Sequence, residues 1–513
     1  MKKLYFTVMA LAVITFSQAQ DITDALRYST DQLSGTARYR SMSGAFGALG
    51  GDLSAISNNP AGSAIFLSSA ATVTLSFNDR QNDTRYFNGV TSNNESDVYF
   101  DQAGAVLVFN STNENTPWKK FVIGVNYSQN NSFDDSFIAQ GSSTNSIDNY
   151  FLEYANGVPL ELLETQDFVN PDNGDIVSET VSDLYLFLGE NEGFGAQQAL
   201  LGYQGFIINP VDNDLGNTSY TSSLASGNFD QQYAYIGTGL NGKFAFNFAT
   251  KYQDFIHLGI NLNAHFLNYD RATRLVEQNS NLGSETNEII FTNNLSTTGS
   301  GFSLQLGTIA NVTDNVRVGL TYDTPTWYTI EEQTTQRLET FSTEFNERDI
   351  IDPGVLNIYP DYQLKTPGKL TGSLAVLFGD HGLISFDYSY KDFSNTELRP
   401  SNDPQFAFQN NMISDNLKAA STYKIGGEYR IENWSLRGGY RFEESPYENE
   451  ITLGDLNGYS AGFGYDFGSI KADLSYDHSS RTDNPQLYQV GLVNTANIER
   501  DFSSVVLSLS FGI

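Results

Sequence analysis

The sequence predicts an all-β protein: a transmembrane barrel of about fourteen antiparallel strands, with an N-terminal plug in its lumen and one long insertion outside. Three observations carry that reading. Apolar and polar residues alternate with a period of two through most of the chain, as they do on a strand with two different faces. The connections between the alternating runs are short and long in turn, which gives a barrel one end of tight turns and one of long loops. Beyond the N-terminus, no stretch approaches the roughly 20 apolar residues that a membrane-crossing helix needs.

Composition narrows the class further. The 513 residues hold 28 Lys and Arg against 60 Asp and Glu, a formal charge of −32, although only 17% of residues are charged. The imbalance comes from scarce bases, and a chain without clustered Lys and Arg has little with which to neutralise phosphates, so no nucleic-acid partner is expected. The cysteine count is zero, which excludes disulfides, thiolate metal sites, a cysteine nucleophile and a lipidated-cysteine anchor. Aromatic residues reach 13%, too many for a disordered acidic chain.

In chain order, Lys2 and Lys3 precede an apolar run from Leu4 to Phe16, and Ser17-Gln18-Ala19 offers small residues for cleavage. Residues 1–19 therefore read as an export signal. Residues 20–69 lack alternation and carry small residues from Ser41 to Gly51, then Asn59-Pro60-Ala61-Gly62. Glycine and alanine permit close backbone packing, and Asn-Pro followed by Gly is turn chemistry, so this segment is expected to fold back into the lumen as a plug.

Residues 70–513 form the barrel. From Ile256 to Phe266 the apolar set is Ile256, Leu258, Ile260, Leu262, Ala264 and Phe266, against His257, Gly259, Asn261, Asn263 and His265. The same pattern runs through Ile384–Tyr390, Trp434–Phe442, Ile470–Tyr476 and Val505–Phe511. Fourteen runs start near residues 70, 97, 120, 243, 255, 297, 314, 362, 382, 417, 433, 456, 469 and 500. Tight turns fall at 252–254, 313–315, 379–382, 432–433 and 468–469, and long polar stretches at 79–96, 129–242, 271–296, 324–361, 393–416, 443–455 and 479–499. A soluble sandwich would also alternate, but this asymmetry of connections and the even count favour a closed barrel, with the apolar row toward lipid and the polar row toward the lumen.

The stretch ending in Asn59-Pro60-Ala61-Gly62, just before the first strand, resembles the N-terminal hatch of FadL/TodX-type hydrophobic-compound transporters. Val316–Tyr322, Leu364–Gly368, and Trp434–Phe442 followed by Ser445-Pro446, are similar to strand motifs of that family. The resemblance implies a monomeric outer-membrane barrel, surrounded by lipid, that passively takes up hydrophobic molecules such as long-chain fatty acids. They would pass a hatch toward a lateral opening or the periplasm, without cofactor or catalysis. The 129–242 insertion is longer than that pattern suggests. An alternative is a barrel that binds without transporting, as a haem/hemin-type receptor or a secretion-associated shuttle barrel; a haem site would favour accessible His or Tyr in the outer loops, and 129–242 has no His.

Other chemistry is thinly supported. Gly237-Thr238-Gly239-Leu240-Asn241-Gly242 fits a dinucleotide pattern without its βαβ context. His257 and His265 share a face but stand roughly 26 Å apart, too far for one metal. Asp172–Asp175 and Asp212–Asp214 lack the closing Glu of a calcium loop. A Ser-His-Asp constellation in the lumen would make a membrane esterase, but no sequence signature supports one. Among inward charges, Arg317, Arg437 and Arg441 are the candidates to meet a ligand carboxylate, which Arg matches geometrically. In the insertion, Val181, Leu184, Leu188 and Tyr185, Phe187 recur at helical spacing, as expected for a hydrophobic cap over the outer mouth.

An even strand count returns the chain to its starting side. Epitope tags in 393–416 and in 379–382 should therefore label intact cells only at the first site; surface labelling at the second would invert the topology.

Overall fold

The computed structural model describes residues 21–113, 115–169 and 176–513; the expected export signal and the acidic stretch Asp172–Asp175 lie outside the described residues. Fourteen strands, all among those residues, close into one antiparallel wall. They are β1 (Ala70–Tyr86), β2 (Gly89–Asn110), β3 (Trp118–Ser132), β4 (Phe229–Tyr252), β5 (Ile256–Gln278), β6 (Glu288–Asn311) and β7 (Val316–Asp323). After them come β8 (Lys369–Leu377), β9 (Gly382–Asp392), β10 (Ala419–Ile431), β11 (Trp434–Glu443), β12 (Leu456–Asp466), β13 (Ile470–Asp483) and β14 (Asn497–Gly512). Each pairs with the next, and β14 closes on β1 from Ala70↔Gly512 to Arg85↔Asn497. Closure matters because an unpaired strand edge has no water to bond in hydrocarbon.

The alternation sorts as the sequence predicts. Leu258, Leu262, Ile384, Trp434, Leu436, Val505 and Leu507 are exposed on the outside, while Asn261, Asn263, Ser385, Asp387 and Ser508 are buried inside. Outward rings mark both edges of the apolar band: Trp118 against Tyr252 (4.8 Å) and Trp434 against Tyr465 (4.7 Å) at the short-turn end, and Tyr127 against Phe244 (5.4 Å) at the other. Trp118 and Tyr127 lie on one strand; at about 3.3 Å per residue and a tilt near 40°, they span roughly 23 Å of height, close to a bilayer's apolar core.

Three stretches expected as long loops are instead largely strand, among them 324–361, where Trp327–Ser342 pairs with residues 288–302. β1 and β2 run on through 79–96 to a two-residue turn, and β5 and β6 fill most of 271–296. Above the apolar band neither face meets lipid, so the alternation fades, but the backbone ladder continues. The insertion contributes α4 (Asp148–Ala155), α5 (Val181–Asn191) and α6 (Phe194–Gln204). Thr180 and Asp183 form a capping box at the start of α5, satisfying two otherwise orphaned N–H groups. Tyr150, Phe151, Leu184, Tyr185, Leu188, Leu200 and Leu201 pack with Phe291 and Leu338 of the extended wall into a core above the membrane.

The wall is interrupted in two places. The β2–β3 ladder spans Gln102↔Ser128 to Asn110↔Lys120 and stops there. Higher up, β2 pairs only with β1, while the chain after β3 bends away and pairs as Asp135–Ser143 with β4. At the corner of this seam the β1–β2 register jumps from Thr74↔Gln102 to Leu75↔Phe100, leaving Asp101 as a bulge. On the far side, Thr324-Pro325-Thr326 ends β7, and Thr366-Pro367-Gly368 precedes β8. Proline cannot donate to a ladder, and the two breaks face each other through Thr326 N–H to Thr366 Oγ1 (3.0 Å). Beside them the β9–β10 ladder ends at Asp392↔Ala419. There α7 (Pro404–Asn416) caps itself with Asp403 and packs Phe406 on Tyr362 (5.7 Å).

Leu507 lies within the lipid-facing row of β14. Leu507→Arg should cost on the order of 2–4 kcal/mol if it lies near the midplane, read as a shifted denaturant midpoint for unfolding from lipid vesicles. An unshifted midpoint would take this face out of the membrane.

Candidate functional site

The N-terminal segment runs through the lumen as α1 (Ile22–Ser29), α2 (Ala37–Arg40), α3 (Leu53–Asn58) and a single 3-10 turn over Pro60–Ile65. Helices this short do not hold themselves together; side-chain caps and the wall do it. Thr36, Asp52 and Asn59 each accept a backbone N–H at a helix start. Inward amides of the wall then satisfy the segment's carbonyls: Asn261 donates to Ile56 O (2.8 Å), Asn247 to Pro60 O (3.0 Å) and Gln305 to Ser57 O (2.9 Å).

Charges fix the segment laterally. Arg40, 4% exposed, bonds both Asp477 oxygens at 2.9 Å and Asp101 at 2.8 Å. Burial opposes its charge, but Asp477 and Asp101 more than reverse that and raise its pKa. Arg38 meets Glu428 at 2.9 Å, which also holds Arg437 at 2.6 Å. Asp387 accepts the N–H groups of Phe46 and Gly47 at 2.9 Å. Gly47 has no room to be larger, since a Cβ there would stand 2.0 Å from Ser373 Oγ.

Asn59 is completely buried. Its amide donates to Gly47 O (2.7 Å) and to Thr308 O of β6 (3.1 Å), while its oxygen accepts Ala61 N–H (3.1 Å). Pro60 lies against Gly259 and Gly307 of the wall, where added Cβ atoms would come within 2.3 Å of Pro60 C and 2.0 Å of Asn59 Oδ1. Gly62 has no positive φ; packing requires glycine there, because a Cβ would approach Ala55 Cβ to 2.9 Å.

Between the segment and the extended wall lies a cavity of about 1260 Å³. At its rim stand Phe408 and Met412 of α7 and Ile451 of the 443–455 loop, all exposed. Tyr154, Tyr235 and Tyr488 line the part under the insertion. Deeper, Lys243, Lys369 and Lys391 surround Asp31 and Asp323: Asp31 lies 3.4 Å from Lys369 and 3.6 Å from Lys391, and Asp323 lies 3.8 Å from Lys369. Burial would raise the Asp31 carboxyl, but Lys391, Lys369 and Lys243 together hold it far below the usual carboxylate range. Three cations against two anions leave the cluster one positive charge in excess. Lys243 makes no hydrogen bond or salt bridge among the described residues, and Asn263 beside it keeps a buried, unbonded Oδ1.

Of the three arginines singled out by sequence, Arg317 donates to Leu49 O (3.2 Å). Arg437 is spent on Glu428 and Asp473, each at 2.6 Å. Only Arg441 lines the cavity, donating to Ser479 (3.1 Å). The lysine cluster escaped sequence reading because its five members come from five separated parts of the chain; Asp323 and Lys391 were legible only as two among many inward charges of both signs. His257 and His265 are buried wall residues, His265 bonding Ser303 (2.8 Å). The Gly237–Gly242 pattern lies within β4, with no helix after it. Among the described residues no cluster of His and acids could hold a metal ion.

A family model described as outer membrane protein transport protein (OMPP1/FadL/TodX) matches residues 175–489. The fold is similar to that of a Pseudomonas aeruginosa FadL homologue, at 12% identity over 94% of this chain and 99% of that one, with a TM-score of 0.53. The toluene transporters TbuX of Ralstonia pickettii (14% identity, 94% and 98% covered) and TodX of P. putida (13%, 94% and 99%) each give a TM-score of 0.50. At these identities the likeness is one of fold. No curated protein matches.

Replacing Arg40 by Met would leave Asp101 and Asp477 buried without a counter-charge. A loss of about 3–5 kcal/mol is expected, as for other broken buried pairs, largely restored by adding Asp101→Asn and Asp477→Asn. Urea titration in vesicles, with protease susceptibility of residues 21–69, checks this; wild-type behaviour would mean that the contact does not hold the segment.

Proposed function

Because the chain belongs to the FadL/TodX family of outer-membrane transport proteins, channels for hydrophobic compounds, we propose that its own cargo is an amphiphile with a carboxylate head, such as a long-chain fatty acid. The observation that supports this most is the lysine cluster. A neutral hydrocarbon gains nothing from one uncompensated positive charge in a half-buried site, whereas a carboxylate gains a charge-assisted bond there. Lys243, which makes no hydrogen bond or salt bridge among the described residues, takes the role first assigned to arginine; Arg441, 3.6 Å from Glu443, stands as a second cation in the same cavity.

The route begins at the apolar lip of Phe408, Met412 and Ile451, where an alkyl chain can leave water. At about 25 cal/mol per Å² of apolar surface buried, even partial shelter of a long chain is favourable. The head then descends to Lys243 while the tail occupies the aromatic lining beneath the insertion. Residues 20–69 act as the hatch, with Asn59-Pro60-Ala61-Gly62 as its pivot, and release is lateral, through the seam between β2 and β3. Transport on this scheme is diffusion between sites of moderate affinity, and no step needs chemistry.

Three variants in liposomes test it. Lys243→Ala should weaken retention of a fatty acid about tenfold or more, the loss of roughly 1.5–3 kcal/mol expected for a bond to a charged group, and leave a neutral hydrocarbon of equal length unaffected. Asn59→Ala or Pro60→Ala should slow uptake of both cargoes in a barrel that still folds. Equal retention of acid and hydrocarbon by wild type and Lys243→Ala would remove the carboxylate from the reading; normal uptake by both pivot variants would reduce the segment to a static plug.

A further inference from the structure

A second constellation lies on the outside of the wall, away from the cavity's cations. On β13 and β14 the register sets His478 opposite Ser503. The Ser503 Oγ is 3.0 Å from His478 Nδ1, and His478 Nε2 is 3.4 Å from Asp501 Oδ1. The Tyr476 hydroxyl stands 3.2 Å from the same Oγ. All four side chains point outward: their neighbours Asp477, Ser479 and Ser504 are buried toward the lumen, and Tyr476 and Val505 are exposed toward lipid. Ser503 is the first polar residue above the apolar row of Val505 and Leu507, with Asp501 and Glu499 above it. That height is the boundary where the polar heads and ester linkages of amphiphiles meet the hydrocarbon.

We propose that Ser503, His478 and Asp501 form a hydrolytic site for carboxylic esters of lipids in the outer leaflet. Each has the neighbour its role requires. Asp501 holds the imidazole proton on Nε2, which leaves Nδ1 free to accept from Ser503. Ser503 Oγ attacks the ester carbonyl carbon as His478 takes its proton. Tyr476 can donate to the oxyanion that forms. The bond to the alcohol oxygen then breaks, and His478 returns the proton to that leaving group. Water cleaves the acyl-serine by the same steps in reverse order, so one ester and one water give one acid and one alcohol. The two ring nitrogens serve in the opposite sense to a chymotrypsin-type triad, which changes neither proton count nor direction. No local motif announces the site, because His478 and Ser503 meet only through strand pairing.

Its position gives the reaction a use. Along the ladder Ser503 pairs with Asp79 of β1, and Asp79 with Ser96 of β2, whose other edge is the seam. Two strand spacings, about 10 Å, separate the nucleophile from that opening. Ester hydrolysis would free a carboxylic acid beside the seam, in reach of the channel; only this fate of the product rests on the transport reading. A second Ser–His pair, Ser303 and His265, faces the lumen, but His265 Nδ1 meets the Tyr328 hydroxyl (3.4 Å) rather than a carboxylate. It serves as the internal control.

The full-length protein in detergent micelles, where no transport occurs, should hydrolyse p-nitrophenyl hexanoate and take up a fluorophosphonate on Ser503, located by peptide mass spectrometry. Ser503→Ala should abolish labelling there, and His478→Ala should lower hydrolysis about 100-fold or more. Asp501→Asn should lower it while the barrel stays folded by its electrophoretic shift. Uptake of a preformed free acid by Ser503→Ala should remain normal, so that failure of the hydrolase and failure of the transporter are separate results. No labelling of the folded wild type, labelling at Ser303 instead, or equal turnover by Ser503→Ala would each overturn the proposal.

Discussion

The interaction on which the rest depends is Arg40 buried between Asp101 and Asp477. A barrel in lipid must turn its polar row inward, and that row then needs partners or water. Here the N-terminal segment supplies many of them, and Arg40 is where the match is strictest: a guanidinium and two carboxylates, each less than a tenth exposed. Such a group is strongly unfavourable with any member missing, so the position of residues 21–69 inside the wall is tied to the register of β2 and β13. Arg38 and Glu428, and Asp387 with the Phe46 and Gly47 amides, repeat the arrangement around the lumen. Glycines of the wall complete it by letting the Asn59-Pro60 backbone press flat against β5 and β6.

The wall was legible in the sequence because lipid on one side and polar groups on the other impose a period of two. Where lipid ends, so did legibility: the upper halves of β1, β2, β5 and β6 carry polar residues on both faces and read as loops, although their ladders are unbroken. Asn59-Pro60-Ala61-Gly62 stood out by its composition. The environment of Arg437 did not, because a cation's partners are long-range facts: Glu428 and Asp473 reach it from neighbouring strands, and nothing in the local pattern distinguishes it from Arg441, which faces the cavity. Lys243, Lys369, Lys391 and Asp31 come from three strands and the N-terminal segment, so their cluster exists only after folding. α5 was readable from its own spacing, yet its partners Phe291 and Leu338 lie more than 100 residues away.

The seam and the Arg40 contact meet at one residue, and that constrains how the channel can work. Asp101 is the bulge at which β2 loses its pairing with β3, so the carboxylate that anchors Arg40 is also the lower corner of the break in the wall. Above it, the β2 edge is bridged by Tyr99 to Asp134, Thr91 to Ile138 O, and Ser142 N–H to Asn88 (2.9 Å), while toward the lumen Asn82 (2.8 Å) and Arg500 (2.7 Å) reach Asp135. Hydroxyl and amide bonds of this kind are each worth only about 0.5–1.5 kcal/mol net, rising toward 3 where a charged group takes part. The buried Arg40 triad and the Arg500–Asp135 pair are far costlier to break, so loosening is confined to the β2 edge of the seam. On the proposed route, then, the seam loosens while the segment stays anchored at Arg40, and the Asn59-Pro60 turn shifts without drawing the segment out of the barrel. A hatch that left the lumen whole would have to expose Asp101 and Asp477 together, and the wall would lose the partner that fixes its bulge. The arrangement favours a small displacement beside a fixed anchor over ejection of the plug.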